Sequence, residues 1–166
     1  MKLQIGGFLD NSLVNGDGIR SVIFVCGCMH NCESCQNQFM QDFNYGDSIS
    51  IQDIVEKIKK NMPIIKGVTF SGGEPFESAL ALSKLSEKVR DLGLNIWCYS
   101  GYTFEEIMNC GDNDKLRLLR TIDVLIDGKF DETLKLGASK YTGSSNQRII
   151  DAQKSISENQ IILWSK

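Results

Sequence analysis

The hydrophobic positions of this chain fall into short apolar runs and longer amphipathic segments. The short runs are rich in β-branched and aromatic residues, which predicts strands, and they are residues 19–25, 67–70, 95–100 and 123–126. The amphipathic segments predict helices, and they are residues 50–62, residues 76–92, a short helix capped by Thr103 and Glu106, and residues 113–120. Strands that alternate with helices indicate an α/β fold with a parallel sheet and crossover connections.

The first two predicted helices have recognisable ends and apolar faces. Ser50 and Asp53 can form a capping box at the start of the first helix. The apolar stripe of that helix is Ile51, Ile54, Val55 and Ile58. In the second helix we expect an inner face made of Leu80, Leu85, Val89 and Leu92, with Gly93 ending the helix.

The last third of the chain has a weaker pattern. Residues 130–146 are polar and rich in glycine and serine, which predicts an irregular loop. Residues 149–158 predict a helix, and residues 160–164 predict a final strand.

Composition and charge are typical of a single folded domain, which we expect to span residues 1–166. Hydrophobic residues make up 42% of the chain and charged residues 23%, unlike a disordered or coiled-coil protein. The net charge of −3 argues against a nucleic-acid partner. The longest nearly apolar stretch, residues 22–29, is too short to span a membrane, and no signal peptide is evident. We therefore expect a cytoplasmic protein that binds neither membranes nor nucleic acid.

A cluster of cysteines follows the first predicted strand. Cys28, Cys32 and Cys35 have the spacing C-x₃-C-x₂-C, and in a reducing compartment such a cluster is typical of a metal or catalytic site. Three thiolates can hold three irons of a [4Fe–4S] cluster and leave the fourth iron open for another ligand. The alternatives are a Cys₄ zinc site that also uses Cys26, and an electron-transfer ferredoxin, although both usually have other spacings.

The sequence favours packing roles for the other cysteines, for the single histidine and for the two tryptophans. Cys26 ends a strand, which favours a structural thiol, and His30 favours a packing residue of the loop over a metal ligand. Burial is the expectation for four others, which are Cys98, Cys110, Trp97 and Trp164.

A glycine-rich turn, Ser71-Gly72-Gly73-Glu74-Pro75, follows the strand at residues 67–70. Two glycines expose backbone carbonyls and Glu74 adds a carboxylate, which together suit an ammonium group better than a phosphate. The cysteine loop, this turn and the segment Asp127-Gly128-Lys129 each follow a predicted strand. Because the carboxyl ends of parallel strands share one edge of a sheet, we expect the three segments to meet there.

The cysteine triplet followed by Gly72-Gly73-Glu74-Pro75 resembles the radical S-adenosylmethionine superfamily. Within it the chain is similar to the glycyl-radical-enzyme activating branch that serves the anaerobic ribonucleoside-triphosphate reductase. Four further stretches carry this closer resemblance, and they are residues 16–20, 97–102, 123–130 and 143–151. The resemblance implies a partial, open (β/α) TIM-like barrel.

The resemblance also implies a set of ligands. Cys28, Cys32 and Cys35 would bind a [4Fe–4S] cluster whose open iron is chelated by S-adenosylmethionine. The residues implied to contact S-adenosylmethionine are Ser34 and Gln36 on either side of Cys35, then Gly72, Gly73 and Glu74 at its amine, and Asp127 and Lys129 at a strand end. The residue before the third cysteine is often aromatic in the superfamily, and here it is Ser34.

The implied activity is reductive cleavage of S-adenosylmethionine. A reductant protein such as flavodoxin or ferredoxin would supply the electron, and the resulting radical would take a hydrogen from a glycine of the large reductase subunit. The cofactor performs the difficult step, so no side chain is expected to be catalytic. Two other functions stay open, which are a small radical enzyme acting on a metabolite and a non-catalytic zinc-binding module.

Overall fold

A computed structural model describes all residues 1–166. The strands are β1 (Lys2–Ser12), β2 (Arg20–Val25), β3 (Asp47–Ser50), β4 (Gly67–Gly72), β5 (Asn95–Tyr99), β6 (Val124–Asp127) and β7 (Arg148–Asp151). The α-helices are α1 (Ile51–Asn61), α2 (Ala79–Asp91), α3 (Phe104–Met108), α4 (Asn113–Leu119) and α5 (Ala152–Glu158). Short 3-10 helices cover Gln38–Gln41, Pro75–Ser78 and Glu132–Gly137.

All seven strands form one sheet in the order β3-β1-β2-β4-β5-β6-β7. The four central strands β2, β4, β5 and β6 are parallel, as predicted. The flanking strands β1, β3 and β7 pair antiparallel with their neighbours. The α/β class is therefore confirmed, while the sheet is open, with β3 and β7 at its edges, and does not close into a TIM-like barrel.

The two faces of the sheet have different coverings. Side chains of β4 and β5 such as Phe70 and Cys98 join a core of 27 buried residues to which all five α-helices contribute. The alternate positions point to the other face, where Trp97 packs with Val124 and Ile126. The helices thus cover one face, and the opposite face is left to loops.

Arg20 lies on the loop-covered face and is fully buried. Its guanidinium donates to Thr69 Oγ1 at 2.7 Å and to the carbonyl oxygen of Asp17 at 3.0 Å, and it lies over the ring of Trp97. Burial lowers the pKa of Arg20 to about 10. Residues 16–20 therefore pack directly against the strands on the loop-covered face of the sheet.

Most predicted helix ends are confirmed. The Ser50 Oγ accepts from the backbone N–H of Asp53 at 3.0 Å, which is one half of the predicted capping box, and the apolar stripe of α1 is buried. Thr103 and Glu106 form a complete capping box at α3. The inner face predicted for the second helix is wrong at Leu80, which is 43% exposed. Within α2, which starts at Ala79 after the 3-10 helix, Leu80 precedes Leu85 by five residues and so lies about 140° from it around the helix. The buried face of α2 includes Leu82, Leu85 and Val89.

The ends of the chain differ most from the sequence-based expectations. Strands β1 and β3 were not expected. Strand β1 pairs with β2 on one side and with β3 on the other. The helix predicted at residues 149–158 is wrong at its start, because Asp151 accepts from the N–H of Lys154 and caps α5 after the short strand β7. The strand predicted at residues 160–164 is reduced to a single bridge between Ile150 and Leu163.

Expectations for single buried residues are mostly confirmed. Cys26, Cys98 and Trp97 are buried, and Trp164 is half-buried against Trp97 with ring centroids 5.0 Å apart. The burial predicted for Cys110 is wrong, because this residue lies exposed in the turn between α3 and α4. None of the helices combines the length and the apolar character that crossing a membrane requires.

Candidate functional site

A cavity of about 470 Å³ opens at the carboxyl ends of the parallel strands. Its lining includes Cys28 after β2, Gly72 at the end of β4, Tyr99 at the end of β5 and Gly128 after β6. The predicted meeting of strand-end segments is therefore confirmed. The cavity lies on the loop-covered face, since its strand residues, such as Tyr99, alternate with the buried residues of the helix-covered core.

Cys28, Cys32 and Cys35 all border this cavity. Asn31 and Ser34, which precede the second and third cysteines, have positive φ angles of 56° and 55°. These left-handed positions fold the loop back on itself, so that its thiols lie around one space. Left-handed backbone at non-glycine residues is typical of functional sites.

Cys26 takes no part in the cavity. It is 2% exposed, and a Cβ added at Gly6 would lie 3.2 Å from its Sγ, so the thiol packs against β1. Cys26 is therefore a buried thiol outside the cavity, and its structural role stays a prediction.

The thiols of the loop lie in a partly desolvated environment. Burial raises the pKa of Cys28 to about 11 and also raises that of Cys32. The positive charge of Lys129 and the backbone N–H of Phe130 act in the opposite direction on Cys32. A metal centre would supply the positive charge that thiolates need here.

The three thiols around the cavity suit an iron–sulfur cluster. In a [4Fe–4S] cube each cysteine binds a different iron. Three thiols spread around one cavity, with Cys26 turned away, match that arrangement.

The glycine turn is locked against the cysteine loop. Gly72 has a φ of +101°, and a Cβ there would lie 2.4 Å from the carbonyl oxygen of Val25. A Cβ at Gly73 would lie 2.7 Å from the carbonyl oxygen of Gly27. The N–H of Glu74 donates to that same oxygen at 2.8 Å. Only glycine fits at both positions, and both glycines border the cavity.

Glu74 itself is fully buried and lies behind the cavity wall. Its Oε1 accepts from the N–H of Phe76 at 3.0 Å and from Ser100 Oγ at 2.9 Å. Its Oε2 accepts from the N–H of Gly101 at 2.8 Å and from His30 Nε2 at 2.7 Å. All four donors belong to the protein, so the carboxylate is enclosed.

The segment after β6 has a similar arrangement. The Asp127 carboxylate is 1% exposed and accepts from Arg148 Nη2 at 2.6 Å and from the N–H of Phe104 at 2.8 Å. Gly128 borders the cavity, and Lys129 is exposed. Asp127 thus faces Arg148, and Lys129 acts on the site through its charge near Cys32.

The residues on either side of Cys35 are placed differently. Gln36 borders the cavity, whereas Ser34 is exposed and donates to Glu132 Oε2 at 2.5 Å. Ser34 therefore ties the cysteine loop to the 3-10 helix Glu132–Gly137.

One wall of the cavity comes from the loop predicted at residues 130–146 and from the residue after it. The wall residues of the loop are Phe130, Tyr141, Thr142 and Gly143, and Gln147 follows them. Gln147 Nε2 donates to the carbonyl oxygen of Gly128 at 2.9 Å, and its Oε1 accepts from the N–H of Gly143 at 2.7 Å. The one available signal was the resemblance at residues 143–151, which identified the stretch without assigning a role.

Comparison with known proteins agrees with this geometry. The family described as "4Fe-4S single cluster domain" matches residues 14–150. The anaerobic ribonucleoside-triphosphate reductase-activating protein of Enterobacteria phage T4 is 34% identical over 141 residues, covering 82% of this chain and 86% of that protein. The chain belongs to this family of activating proteins.

Other members of the activating-protein family match over similar lengths. The Haemophilus influenzae member is 32% identical over 151 residues, which are 86% of this chain and 94% of that protein. The Escherichia coli K12 member is 32% identical over 142 residues, which are 81% of this chain and 90% of that protein. The matched region contains all three cavity cysteines, and the family description supports an iron–sulfur cluster as the cofactor.

Proposed function

We propose that this protein activates an anaerobic ribonucleoside-triphosphate reductase, as a radical S-adenosylmethionine enzyme that generates a glycyl radical on the large reductase subunit. The observation that carries the proposal is that three cysteines border one cavity together with the glycine turn, while Cys26 is turned away. The names of the related activating proteins support the same function.

Cys28, Cys32 and Cys35 would hold a [4Fe–4S] cluster, leaving one iron without a protein ligand. A reductant protein such as flavodoxin or ferredoxin would supply one electron. The chemistry that the cluster and S-adenosylmethionine would supply is reductive cleavage of the sulfonium, with release of methionine, and removal of a hydrogen from a glycine of the reductase. Gly72 and Gly73 border the same cavity and would receive the amine. Direct contact of the amine with the Glu74 carboxylate stays a prediction, since that carboxylate already accepts four hydrogen bonds within the protein.

Aromatic side chains give the cavity an apolar wall, and they are Phe24, Tyr99, Phe130 and Tyr141. Such a wall excludes water from a reactive centre. Phe130 packs against Gly143, where a Cβ would lie 3.2 Å from the ring. We assign to Phe130 the apolar contact with adenine that Ser34 cannot supply. The contact proposed for Gln36 is supported by its place in the cavity lining. The contacts proposed for Asp127 and Lys129 have less support, because neither residue lines the cavity.

The covering of the sheet supports a partial barrel. The five α-helices lie on one face and the cavity lies on the other. A (β/α) barrel likewise places its helices outside and its site at the carboxyl ends of the strands. We infer that this open sheet corresponds to the predicted partial, open barrel.

The deciding experiment is anaerobic reconstitution with iron and sulfide, followed by incubation with a reductant, S-adenosylmethionine and the large reductase subunit. We expect a glycyl radical signal by electron paramagnetic resonance together with 5′-deoxyadenosine. Cys28→Ser should abolish both products, and the matched variant Cys26→Ser should retain both. A fully loaded wild-type protein that forms neither product would contradict the proposal. 5′-Deoxyadenosine without a radical on the reductase would favour a radical enzyme acting on a metabolite.

A further inference from the structure

The cysteine loop has one buried side-chain anchor. Between Cys28 and Cys35, the side chains that hydrogen-bond outside the loop are His30 and Ser34. The Ser34 bond lies on the exposed surface, whereas the His30 side chain is only 8% exposed. Met29 next to it is 69% exposed. His30 is therefore the residue that turns inward and holds the loop to the body of the protein.

The surroundings of His30 are shaped to its imidazole. The ring packs edge-on against Tyr102, with centroids 4.5 Å apart. Gly101 leaves the space for it, since a Cβ there would lie 2.5 Å from His30 Cδ2. The Nε2 donates to Glu74 Oε2 at 2.7 Å. The contacts with Tyr102, Gly101 and Glu74 together fix the orientation of the His30 ring.

Glu74 gives His30 a rigid acceptor. Each of its carboxylate oxygens accepts two hydrogen bonds, and the residue is fully buried. Glu74 also ends the glycine turn, so the His30–Glu74 bond joins the segment that carries the cysteines to the segment that carries Gly72 and Gly73. A buried and fully satisfied hydrogen-bond network of this kind is rigid, so it holds the two segments at a fixed separation.

We propose that His30 is a positioning residue that acts through Glu74 to set the distance between the cysteine loop and the glycine turn, and thereby the affinity for S-adenosylmethionine. This inference rests on the proposed function, in which the amine of S-adenosylmethionine is held between the open iron and the turn. Glu74 then acts from behind the turn, and the glycine backbone faces the ligand.

Three variants separate positioning from general stability. His30→Phe keeps an aromatic ring against Tyr102 and removes the donor to Glu74. His30→Gln keeps a side-chain N–H donor of similar reach and removes the ring. Met29→Gln changes the exposed neighbour in the same loop and serves as the matched control.

The experiment measures two quantities on each anaerobically reconstituted protein, the iron and sulfide content per chain and the Kd for S-adenosylmethionine by isothermal titration calorimetry. We expect His30→Phe to keep near wild-type iron and to bind S-adenosylmethionine about tenfold more weakly, which is the size of effect expected for one lost buried hydrogen bond. His30→Gln should recover most of the affinity, and Met29→Gln should match the wild type.

An unchanged Kd in His30→Phe would overturn the inference. Lower iron content with an unchanged Kd per loaded cluster would also overturn it, because His30 would then act on the fold alone. If His30→Phe does not fold, Gly101→Ala provides the same comparison, since its Cβ displaces the imidazole. Failure of the wild-type protein to bind the cluster or S-adenosylmethionine would contradict the proposed function itself, and the wild-type sample shows this before any variant is measured.

Discussion

The turn after β4 and the turn after β6 each contain a buried carboxylate. The two carboxylates differ in the groups that donate hydrogen bonds to them. Glu74 in the β4 turn (residues 72–75) accepts from neutral hydroxyl and backbone donors and from His30 of the cysteine loop. Asp127 in the β6 turn (residues 127–129) accepts from the guanidinium of Arg148, whose side chain is 34% exposed and also pairs with Glu105.

These different partners mean that the two turns are held in place by different parts of the protein, although both border the same cavity. The β4 turn is connected inward, to the loop that would hold the cluster, whereas the β6 turn is connected outward, to α3 and β7. A substitution in the β4 turn should therefore lower both the free energy of unfolding and the binding of the cluster and S-adenosylmethionine. A change at the β6 turn should act mainly on the stability of the outer edge of the sheet.

Glu74→Ala should have the largest effect. Four donors would lose their acceptor in a buried site, so we expect the free energy of unfolding to fall by about 4 kcal/mol. Anaerobic urea denaturation of the cluster-free protein measures this. Glu33→Ala, at an exposed position of the cysteine loop, is the control and should change little. A loss below about 1 kcal/mol would mean that the donors find water or other partners in place of the carboxylate.

Gly73→Ala tests the close approach of the β4 turn to the cysteine loop. Its Cβ would lie 2.6 Å from the carbonyl oxygen of Met40, and overpacking against backbone is expected to cost about 3 kcal/mol. The matched variant in the other turn is Gly128→Ala, whose φ of +100° is strained but whose Cβ would meet nothing closer than 3.7 Å. We expect it to cost about 1–2 kcal/mol. Iron uptake should fall in Gly73→Ala alone, and equal uptake in both variants would remove the distinction between the turns.

Arg148→Met removes the cation that faces Asp127 in the β6 turn. The N–H of Phe104 remains as a donor and water can reach the partly exposed site, so we expect a loss of about 2 kcal/mol. Arg117→Met removes an exposed ion pair with Glu87 and should cost less than about 0.5 kcal/mol. The Kd for S-adenosylmethionine should change little in Arg148→Met. A loss of affinity as large as that expected for His30→Phe would show that the β6 turn is also connected to the ligand.

The parts of the fold that local sequence determines were predictable. The parallel strands and the caps at Ser50 and Thr103 depend on patterns within a few residues, and all of them are confirmed. Strand β1 depends on antiparallel pairing with β2, and its Gly6-Gly7 pair weakens any strand pattern. The error at Leu80 is one of helical phase, because Leu80 precedes Leu85 by five residues and lies about 140° from it around α2.

The composition of the candidate site was more predictable than the direction of its side chains. Strand-end position was enough to place Cys28, Gly72 and Gly128 around one cavity. It did not show that Glu74 and Asp127 turn away from the cavity, because their partners His30 and Arg148 come from distant segments. The wall residues Tyr141 and Gln147 lie in a loop whose path depends on hydrogen bonds, which leave no hydrophobic period in the sequence.

Glu105→Gln should have the smallest effect. It tests whether the exposed ion pair between Glu105 and Arg148 helps to stabilise the β6 turn. The hydrogen bond from Arg148 holds the pKa of Glu105 below its usual value. A carboxyl whose pKa is lowered in the folded state stabilises the protein above its unfolded pKa and loses that contribution as the pH falls through its folded pKa. Because the Glu105 side chain is 52% exposed, we expect a difference from wild type of about 0.5 kcal/mol at neutral pH. That difference should disappear on acidification below about pH 4. Urea denaturation of both proteins at neutral and acidic pH measures this difference in the free energy of unfolding. A difference that persists in acid would show that Glu105 acts through packing. Asp127 would then be the one carboxylate whose charge stabilises the position of Arg148.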